Sequence, residues 1–266
     1  MTNPEPNAED HAARSADRHG PWAELFFRIR VMRQRIRRGI ADSFSKLRRC
    51  EKMHDGPYSL VVGESRTHLW SDDRPAEAIH QKGKVHNLRK AVAELDCARL
   101  LPGQVFSFWT QIGRATEERG YVVGRMLQQG CMIPAVGGGL CQLSNALYDA
   151  ALQSGCEIIE RHAHSRVVPG SEAAAGRDAT VAWNYVDLRF RSRVPLLIRA
   201  QVTEDELAVS FCVFPGTVVP KRKMAEPVGY AGDSSMAQPP ELASTCSICA
   251  ETACSRHESR ERVGSA

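Results

Sequence analysis

A cysteine shortly after three glycines, followed about twenty residues later by two histidines, is the pattern in this sequence best suited to chemistry. The glycines are Gly137, Gly138 and Gly139, the thiol is Cys141, and residues 142–152 have the apolar spacing of a helix. Cys141 would therefore lie in the first turn of that helix. The helix dipole and the unpaired backbone N–H groups of a first turn favour the thiolate, which is the nucleophilic form of cysteine.

Two histidines and an aspartate are the candidate partners of this thiol. His162 and His164 point to the same face if their segment is a strand, so either is a candidate general base. Asp178, at the start of the next predicted strand, is the candidate group that orients the imidazole. Asn184 and Asp187 are weaker candidates for that role. The pattern favours a thiol enzyme that hydrolyses or transfers an amide or peptide-like bond.

The surroundings of the thiol predict an anion site and a pocket. We expect the loop that contains the three glycines, together with Gln142 and the helix N-terminus, to stabilise an oxyanion. Helical spacing also places polar side chains on the same face as the thiol. The predicted pocket consists of Trp109, Ser144, Asn145, Tyr148, Arg161 and Asn184.

The same residues allow other interpretations. The glycines and the thiol are also compatible with a tight turn and simple packing, in which case the domain is a non-catalytic peptide- or peptidoglycan-binding module. Zinc bound by Cys141, His162 and His164 is a third alternative, since two imidazoles and a thiolate suit that ion. A second candidate zinc cluster near the C-terminus comprises Cys246, Cys249, Cys254 and His257. No other cofactor is predicted.

The composition predicts one globular domain between polar ends. Of 266 residues, 42% are hydrophobic and 6% aromatic. We expect a disordered N-terminus over 1–20, a basic amphipathic helix over 21–50, a globular domain over 51–218 and a disordered cysteine-containing tail over 219–266.

The basic helix allows two interpretations. Its apolar residues recur every three or four positions, and arginines occupy most of the others. The favoured interpretation packs the apolar face on the chain's own domain and leaves the basic face in solvent. The alternative places residues 21–49 in peripheral contact with an anionic membrane. A net charge of +4 gives no reason to expect a specific nucleic-acid partner.

The cysteine count and the N-terminal sequence predict the compartment. Nine cysteines are an odd number, and residues 1–20 lack the apolar stretch of a secretory signal. No apolar run is long enough to span a membrane. These features predict a cytoplasmic protein, at most peripheral to a membrane, with no signal peptide or transmembrane segment.

The order of the patterns predicts an α+β fold with a mainly antiparallel sheet packed with a few helices. Helical patterns come first, and four strand-like runs follow. These runs are 157–164, 180–190, 196–202 and 207–214. A cysteine at a helix start followed by a histidine and an aspartate resembles the logic of papain-like and transglutaminase-like enzymes, although their thiol and base are further apart in sequence.

Over residues 55–215 the chain resembles the VanW family, named for an accessory protein of vancomycin-resistance gene clusters. The resemblance rests on ordered blocks at 87–89, 101–109, 137–148, 160–165, 178–181 and 184–188. Many members of that family are extracytoplasmic and accompany peptidoglycan-binding modules. The resemblance therefore implies a cell-wall role and a peptide-like or cell-wall-derived small substrate, but no particular reaction.

Overall fold

The computed structural model describes residues 47–54, 56–70, 75–128, 131–163 and 177–219, together with 29, 32–33 and 36–40. His164, the predicted disordered N-terminus over 1–20, residues 220–266 of the predicted tail over 219–266, and the cluster of Cys246, Cys249, Cys254 and His257 lie outside these residues. In the basic segment, the described residues 36–40 are helical, whereas 47–50 are not.

The described residues form the α+β fold that the sequence predicts. The helices are α1 (Ala78–Leu95), α2 (Phe108–Ile112) and α3 (Leu140–Gln153). The strands are β1 (Glu51–Lys52), β2 (Leu60–His68), β3 (Ala98–Leu100), β4 (Val105–Ser107), β5 (Val123–Gln128), β6 (Cys131–Val136), β7 (Glu157–Glu160), β8 (Arg189–Arg191), β9 (Leu196–Val202) and β10 (Glu206–Val213). Among the described residues, no helix is long and apolar enough to cross a membrane.

All strand pairs described are antiparallel. One sheet has the order β1-β3-β9-β10-β2, a second has the order β4-β8-β7, and β5 pairs with β6 as a hairpin. Helix α3 packs against β2 and β10, and α1 packs against β5 and β9. In the second sheet the rings of Phe106 and Phe190 stack with their centroids 4.5 Å apart. Phe190 also contacts Phe211 of β10 at 5.5 Å, which connects the second sheet to the core. The core therefore lies between the sheets and the two long helices.

Apolar periodicity locates most of these elements. Strand β9 has the predicted bounds, β10 is shifted by one residue, and α3 ends close to the predicted stop at Gly155, whose φ is 67°. Two predictions were wrong in detail. Strand β7 ends at Glu160, before the histidines. Only residues 189–190 of the predicted strand 180–190 belong to a strand, and its middle is a turn closed by the bridge between Ala182 and Val186.

Close backbone approach holds the turn before α3 in place. A Cβ added to Gly138 would lie 2.3 Å from the carbonyl oxygen of Gly124 in β5, so a larger residue does not fit at this position. The buried Asn87 side chain of α1 connects the same two segments. It accepts from the N–H of Val122 at 2.9 Å and donates to the carbonyls of Val122 and Gly138 at 2.9 and 3.0 Å. One amide thus joins α1, the hairpin and the turn that leads to Cys141.

Asn87→Ala should destabilise the domain strongly. The substitution removes this partner from the buried bond to the Gly138 carbonyl and from the partly buried N–H and carbonyl of Val122, and we expect a loss of about 3 kcal/mol in the free energy of unfolding. Urea denaturation measures the change, with Lys82→Ala at an exposed position of the same helix as the control. Equal urea midpoints for the two variants would contradict the role of Asn87 in joining α1, the hairpin and the turn.

Candidate functional site

Cys141 lies in the first turn of α3 and is half-buried. The turn enters the helix through Gly139, whose φ of 104° is in the left-handed region that favours glycine. The Cys141 Sγ atom is 3.7 Å from Thr180 Oγ1 and 3.9 Å from the carbonyl oxygen of Val181. That carbonyl can accept a hydrogen bond from the thiol but not from the thiolate, so this contact favours the protonated form of Cys141.

Exposure distinguishes Cys141 from the other described cysteines. Cys50, Cys97, Cys156 and Cys212 are buried, and none of the five described cysteines forms a disulfide. Burial raises the pKa of Cys50 to about 12 and that of Cys156 to about 11. Within the described residues, these features make Cys141 the thiol accessible to a reaction partner.

The polar face of α3 is covered by the segment 178–181. Ser144 donates to the carbonyl of Ala179 at 2.5 Å, and the N–H of Ala179 donates to Asn145 Oδ1 at 2.8 Å. Ser144 and Tyr148 are themselves buried. These predicted pocket residues therefore hold a neighbouring segment against the helix, and this segment brings Thr180 to the thiol.

The same segment also contacts residues 161–162. The N–H of Thr180 donates to the carbonyl of His162 at 2.8 Å, and Arg161 Nε donates to the carbonyl of Asp178 at 2.6 Å. The Arg161 guanidinium lies over the Tyr148 ring at 5.2 Å. A single residue, Thr180, thus contacts both Cys141 through its side chain and His162 through its backbone.

The carboxylate that contacts the His162 ring is that of Glu160, with His162 Nε2 3.3 Å from Glu160 Oε1. Arg38 donates to the same oxygen, and Arg189 Nε is 3.4 Å from Glu160 Oε2. Burial opposes ionisation of Glu160, but the His162 hydrogen bond and the charges of Arg38 and Arg189 together outweigh it and lower the pKa. Glu160 is therefore a carboxylate that can stabilise a protonated imidazole.

Asp187 forms the other half of a buried acidic pair. Its side chain is fully buried and accepts from the Ser107 hydroxyl at 2.7 Å, the Trp109 N–H at 3.2 Å and Arg189 at 2.8 Å. Burial raises the pKa of Asp187 despite the opposing hydrogen bonds from Arg189 and Ser107. The backbone N–H of Asp187 donates to Glu160 Oε1 at 3.1 Å, which ties the two carboxylates together.

The predicted anion-site donors have other contacts in the structure. The N–H of Gly137 donates to the carbonyl of Val122 at 3.1 Å, and that of Gly138 to the carbonyl of Ala135 at 2.9 Å. The Gln142 amide donates to Thr67 Oγ1 and to the carbonyl of His68, each at 2.8 Å. These three groups therefore contribute to the turn and to its junction with β2.

A buried lysine packs against the turn before α3. A Cβ added to Gly139 would lie 2.3 Å from Cγ of Lys84, whose amine donates to the carbonyl of Leu69. Burial lowers the pKa of Lys84 to about 8, and the charge of Arg125 adds to the effect. Sequence patterns did not identify this lysine because it lies within an ordinary helical stripe.

Two tryptophans contact each other at the turn that follows the segment 178–181. Trp109 Nε1 donates to the carbonyl of Val186 at 2.8 Å, and its ring contacts that of Trp183 edge to face at 5.5 Å. Trp183 is 38% exposed. Asn184 follows it in the turn with φ of 53°, a conformation that asparagine tolerates, so its observed role is in the turn.

Metal binding remains a prediction. Among the residues that the structure describes, no three His, Cys, Asp or Glu side chains form a group that could hold a metal ion. The third ligand of the predicted core site, His164, and the four residues of the C-terminal cluster lie outside that part of the chain.

Comparison with known proteins identifies the domain. Residues 83–212, which include most of α1, the hairpin, α3, Cys141, Glu160 and His162, match the family described as VanW like protein. This match and the two relatives below support VanW family membership for this part of the chain. The finding confirms the resemblance that the sequence blocks indicate.

Two relatives show how far the similarity extends. The chain is 36% identical over 122 residues to the uncharacterized protein YoaR of Bacillus subtilis, and 32% identical over 163 residues to the vancomycin B-type resistance protein VanW of Enterococcus faecalis. The matches cover 45% and 59% of this chain, and 40% and 58% of the relatives' lengths. No solved structure matches the chain.

Sequence reasoning about this VanW domain did not identify Glu160, Thr180 or Arg38 as site residues. Glu160 precedes His162 by two positions, and the alternation of a strand would have placed both on one face. Thr180 and Arg38 gave no such signal, because their contacts with Cys141 and Glu160 join distant parts of the chain.

Cys141 should be alkylated in the folded protein far faster than Cys50 or Cys156. At pH 8 a thiol with a pKa of about 12 has about a thousandfold less thiolate than one near the ordinary value of 9.0, and burial also blocks access. Timed iodoacetamide labelling with peptide mass spectrometry measures each site. Denatured protein serves as the control, in which the rates should converge. Faster labelling of Cys50 than of Cys141 in the folded protein would contradict the observed exposures.

Proposed function

We propose that this VanW family chain is a cysteine-dependent enzyme that hydrolyses or transfers an acyl group from a peptide or amide bond. Cys141 is the nucleophile and His162 the general base. The observation that carries the proposal is that Thr180 contacts the accessible thiol and the segment of His162 at once, while the His162 ring contacts the ionised Glu160. His164 remains an alternative base.

The reaction begins with proton transfer from Cys141 to His162, which converts the thiol into the nucleophile. The sulfur then forms a bond to the carbonyl carbon of the substrate, and the negative charge moves to the carbonyl oxygen. When the carbon–nitrogen bond breaks, protonated His162 gives its proton to the leaving amine. The resulting thioester is cleaved by water or by an acceptor amine, with His162 taking the proton of the attacking group.

In this proposal Glu160 orients the imidazole, which is the role that the sequence predicted for Asp178. Its carboxylate contacts the imidazole at 3.3 Å, and Arg38 and Arg189 favour its ionised form. A carboxylate in that position fixes the ring orientation and stabilises the imidazolium that forms when the thiol loses its proton. Asp178 contributes to the structure through its backbone carbonyl, which accepts from Arg161.

The N-terminal end of α3 is the anion-stabilising element of the proposed site. The N–H groups of Gly137 and Gly138 already donate to backbone carbonyls, so the positive end of the helix dipole is left for this role. The substrate class to test first is a cell-wall peptide, because one relative is a vancomycin B-type resistance protein.

A binding module is the second candidate function. The edge-to-face pair of Trp109 and half-exposed Trp183 near the segment of Thr180 offers an aromatic surface that needs no thiol chemistry. In that case the histidine and the tryptophans determine affinity, and Cys141 is replaceable.

The protein should form a thioester at Cys141 with 4-nitrophenyl acetate. Intact mass spectrometry should show one hydroxylamine-sensitive acetyl group, and release of 4-nitrophenol should show a burst. Cys141→Ser should abolish the acetyl group, because the hydroxyl is a much weaker nucleophile. We expect His162→Gln to slow acylation about a hundredfold.

Cys212→Ser is the matched control for loss of a thiol, because Cys212 is buried. Undiminished acylation in Cys141→Ser would end the proposal of thiol catalysis. Peptide binding that survives in Cys141→Ser but is lost in Trp183→Ala would favour the binding module instead. Bound zinc that disappears in Cys141→Ser would favour the metal-site alternative.

Glu160→Gln should shift the pH profile of Cys141 alkylation. The wild-type carboxylate stabilises the imidazolium, which is present before and after the thiol ionises, so the neutral amide should instead move the high-pH limb, where the imidazolium loses its proton, downward by about one unit. Asp178→Asn serves as the comparison and should leave that limb in place. Identical profiles for wild type and Glu160→Gln, with native melting curves, would contradict the assignment of Glu160.

A further inference from the structure

The described part of the N-terminal helix presents its apolar side chains to solvent. Ile29, Met32, Ile36 and Ile40 are 51%, 61%, 56% and 57% exposed. This arrangement is the reverse of the packing favoured by the sequence, in which the apolar face contacts the domain and the basic face is in solvent. We call these four residues the apolar stripe.

Arg38 attaches this helix to the domain. At 100° per residue it lies on the side opposite the apolar stripe. Its guanidinium contacts Glu160 and lies 3.6 Å from Asp187, and its side chain is only 14% exposed. The buried acidic pair therefore holds the helix with the stripe facing outward.

Arginines flank the stripe. Six arginines and no acidic residue lie between positions 28 and 40. Of the arginines that the structure describes, Arg33 and Arg37 are exposed, and helical spacing places both beside the stripe. A helix with an apolar stripe beside cationic side chains suits a surface that has anionic groups outside and an apolar layer beneath them.

We propose that this helix docks the protein on an anionic lipid surface. The apolar stripe enters the boundary between headgroups and acyl chains, while Arg33 and Arg37 extend toward the phosphates. A second copy of the chain is a less suitable partner for the apolar stripe, because two such helix faces would bring their arginines together. This inference is independent of the thiol chemistry.

Vesicle co-sedimentation of the full chain tests the proposal. We expect binding to vesicles of phosphatidylcholine with phosphatidylglycerol, weak binding to phosphatidylcholine alone, and loss of binding as salt rises. Ile36→Ser/Ile40→Ser should reduce the partition coefficient about tenfold or more. Arg33→Glu/Arg37→Glu should reduce binding to the anionic vesicles by a similar factor.

Matched controls come from exposed positions of α1. Ile79→Ser replaces an isoleucine that is 71% exposed, and Lys82→Glu/Arg89→Glu makes the same change in net charge as the arginine double variant. Both should bind like wild type. Absence of wild-type binding, or equal binding by Ile36→Ser/Ile40→Ser, would overturn the proposal. A wild-type dimer that dissociates in that variant, with no vesicle binding, would overturn it in favour of a second copy.

Discussion

The position of Cys141 depends on a backbone contact that excludes side chains. The turn before α3 approaches β5 so closely that the carbonyl of Gly124 occupies the place of any Cβ at Gly138. Asn87 stabilises this contact, because its one amide satisfies both polar groups of Val122 and the carbonyl of Gly138. The glycine run thus has a packing role whether or not the thiol reacts, and the N–H groups of Gly137 and Gly138 donate to backbone carbonyls within it.

A buried charge network forms the second constraint on the site. Glu160 and Asp187 together face the guanidinium groups of Arg38 and Arg189. Buried carboxylates are tolerated when hydrogen bonds and opposite charges offset their desolvation, and removal of one partner leaves the others uncompensated. The two acids respond differently: burial dominates at Asp187 and raises its pKa, whereas the bonds to His162 and the arginines lower the pKa of Glu160.

Sequence periodicity predicts the elements of this fold well where local pattern determines structure. Alternation locates β9 and β10, and helical spacing with Gly155 locates α3. The prediction failed for 180–190, where hydrophobic residues suggested a strand but pack in a turn around Asn184. It also placed the histidines in a strand, whereas β7 ends at Glu160.

In the candidate site, too, local sequence patterns predict some features, whereas contacts between distant residues determine the others. The position of Cys141 at a helix start follows from local signals, but the partner of His162 and the residue that bridges to the thiol do not. The segment 178–181 has no periodicity of its own, and hydrogen bonds to Ser144 and Asn145 determine its course. The orientation of the basic helix depends on Arg38 and Glu160, which are 122 residues apart in sequence. The sequence pattern correctly predicted an amphipathic helix. It wrongly predicted that the apolar face, and not the face of Arg38, contacts the domain.

One oxygen atom connects the N-terminal helix with the candidate site around His162. Glu160 Oε1 accepts from Arg38, from the backbone N–H of Asp187 and from the His162 ring. A carboxylate oxygen shared among several donors gives each of them less of its charge. The attachment of the helix and the orientation of the His162 ring therefore depend on the same carboxylate, so a substitution of Glu160 removes a contact from both.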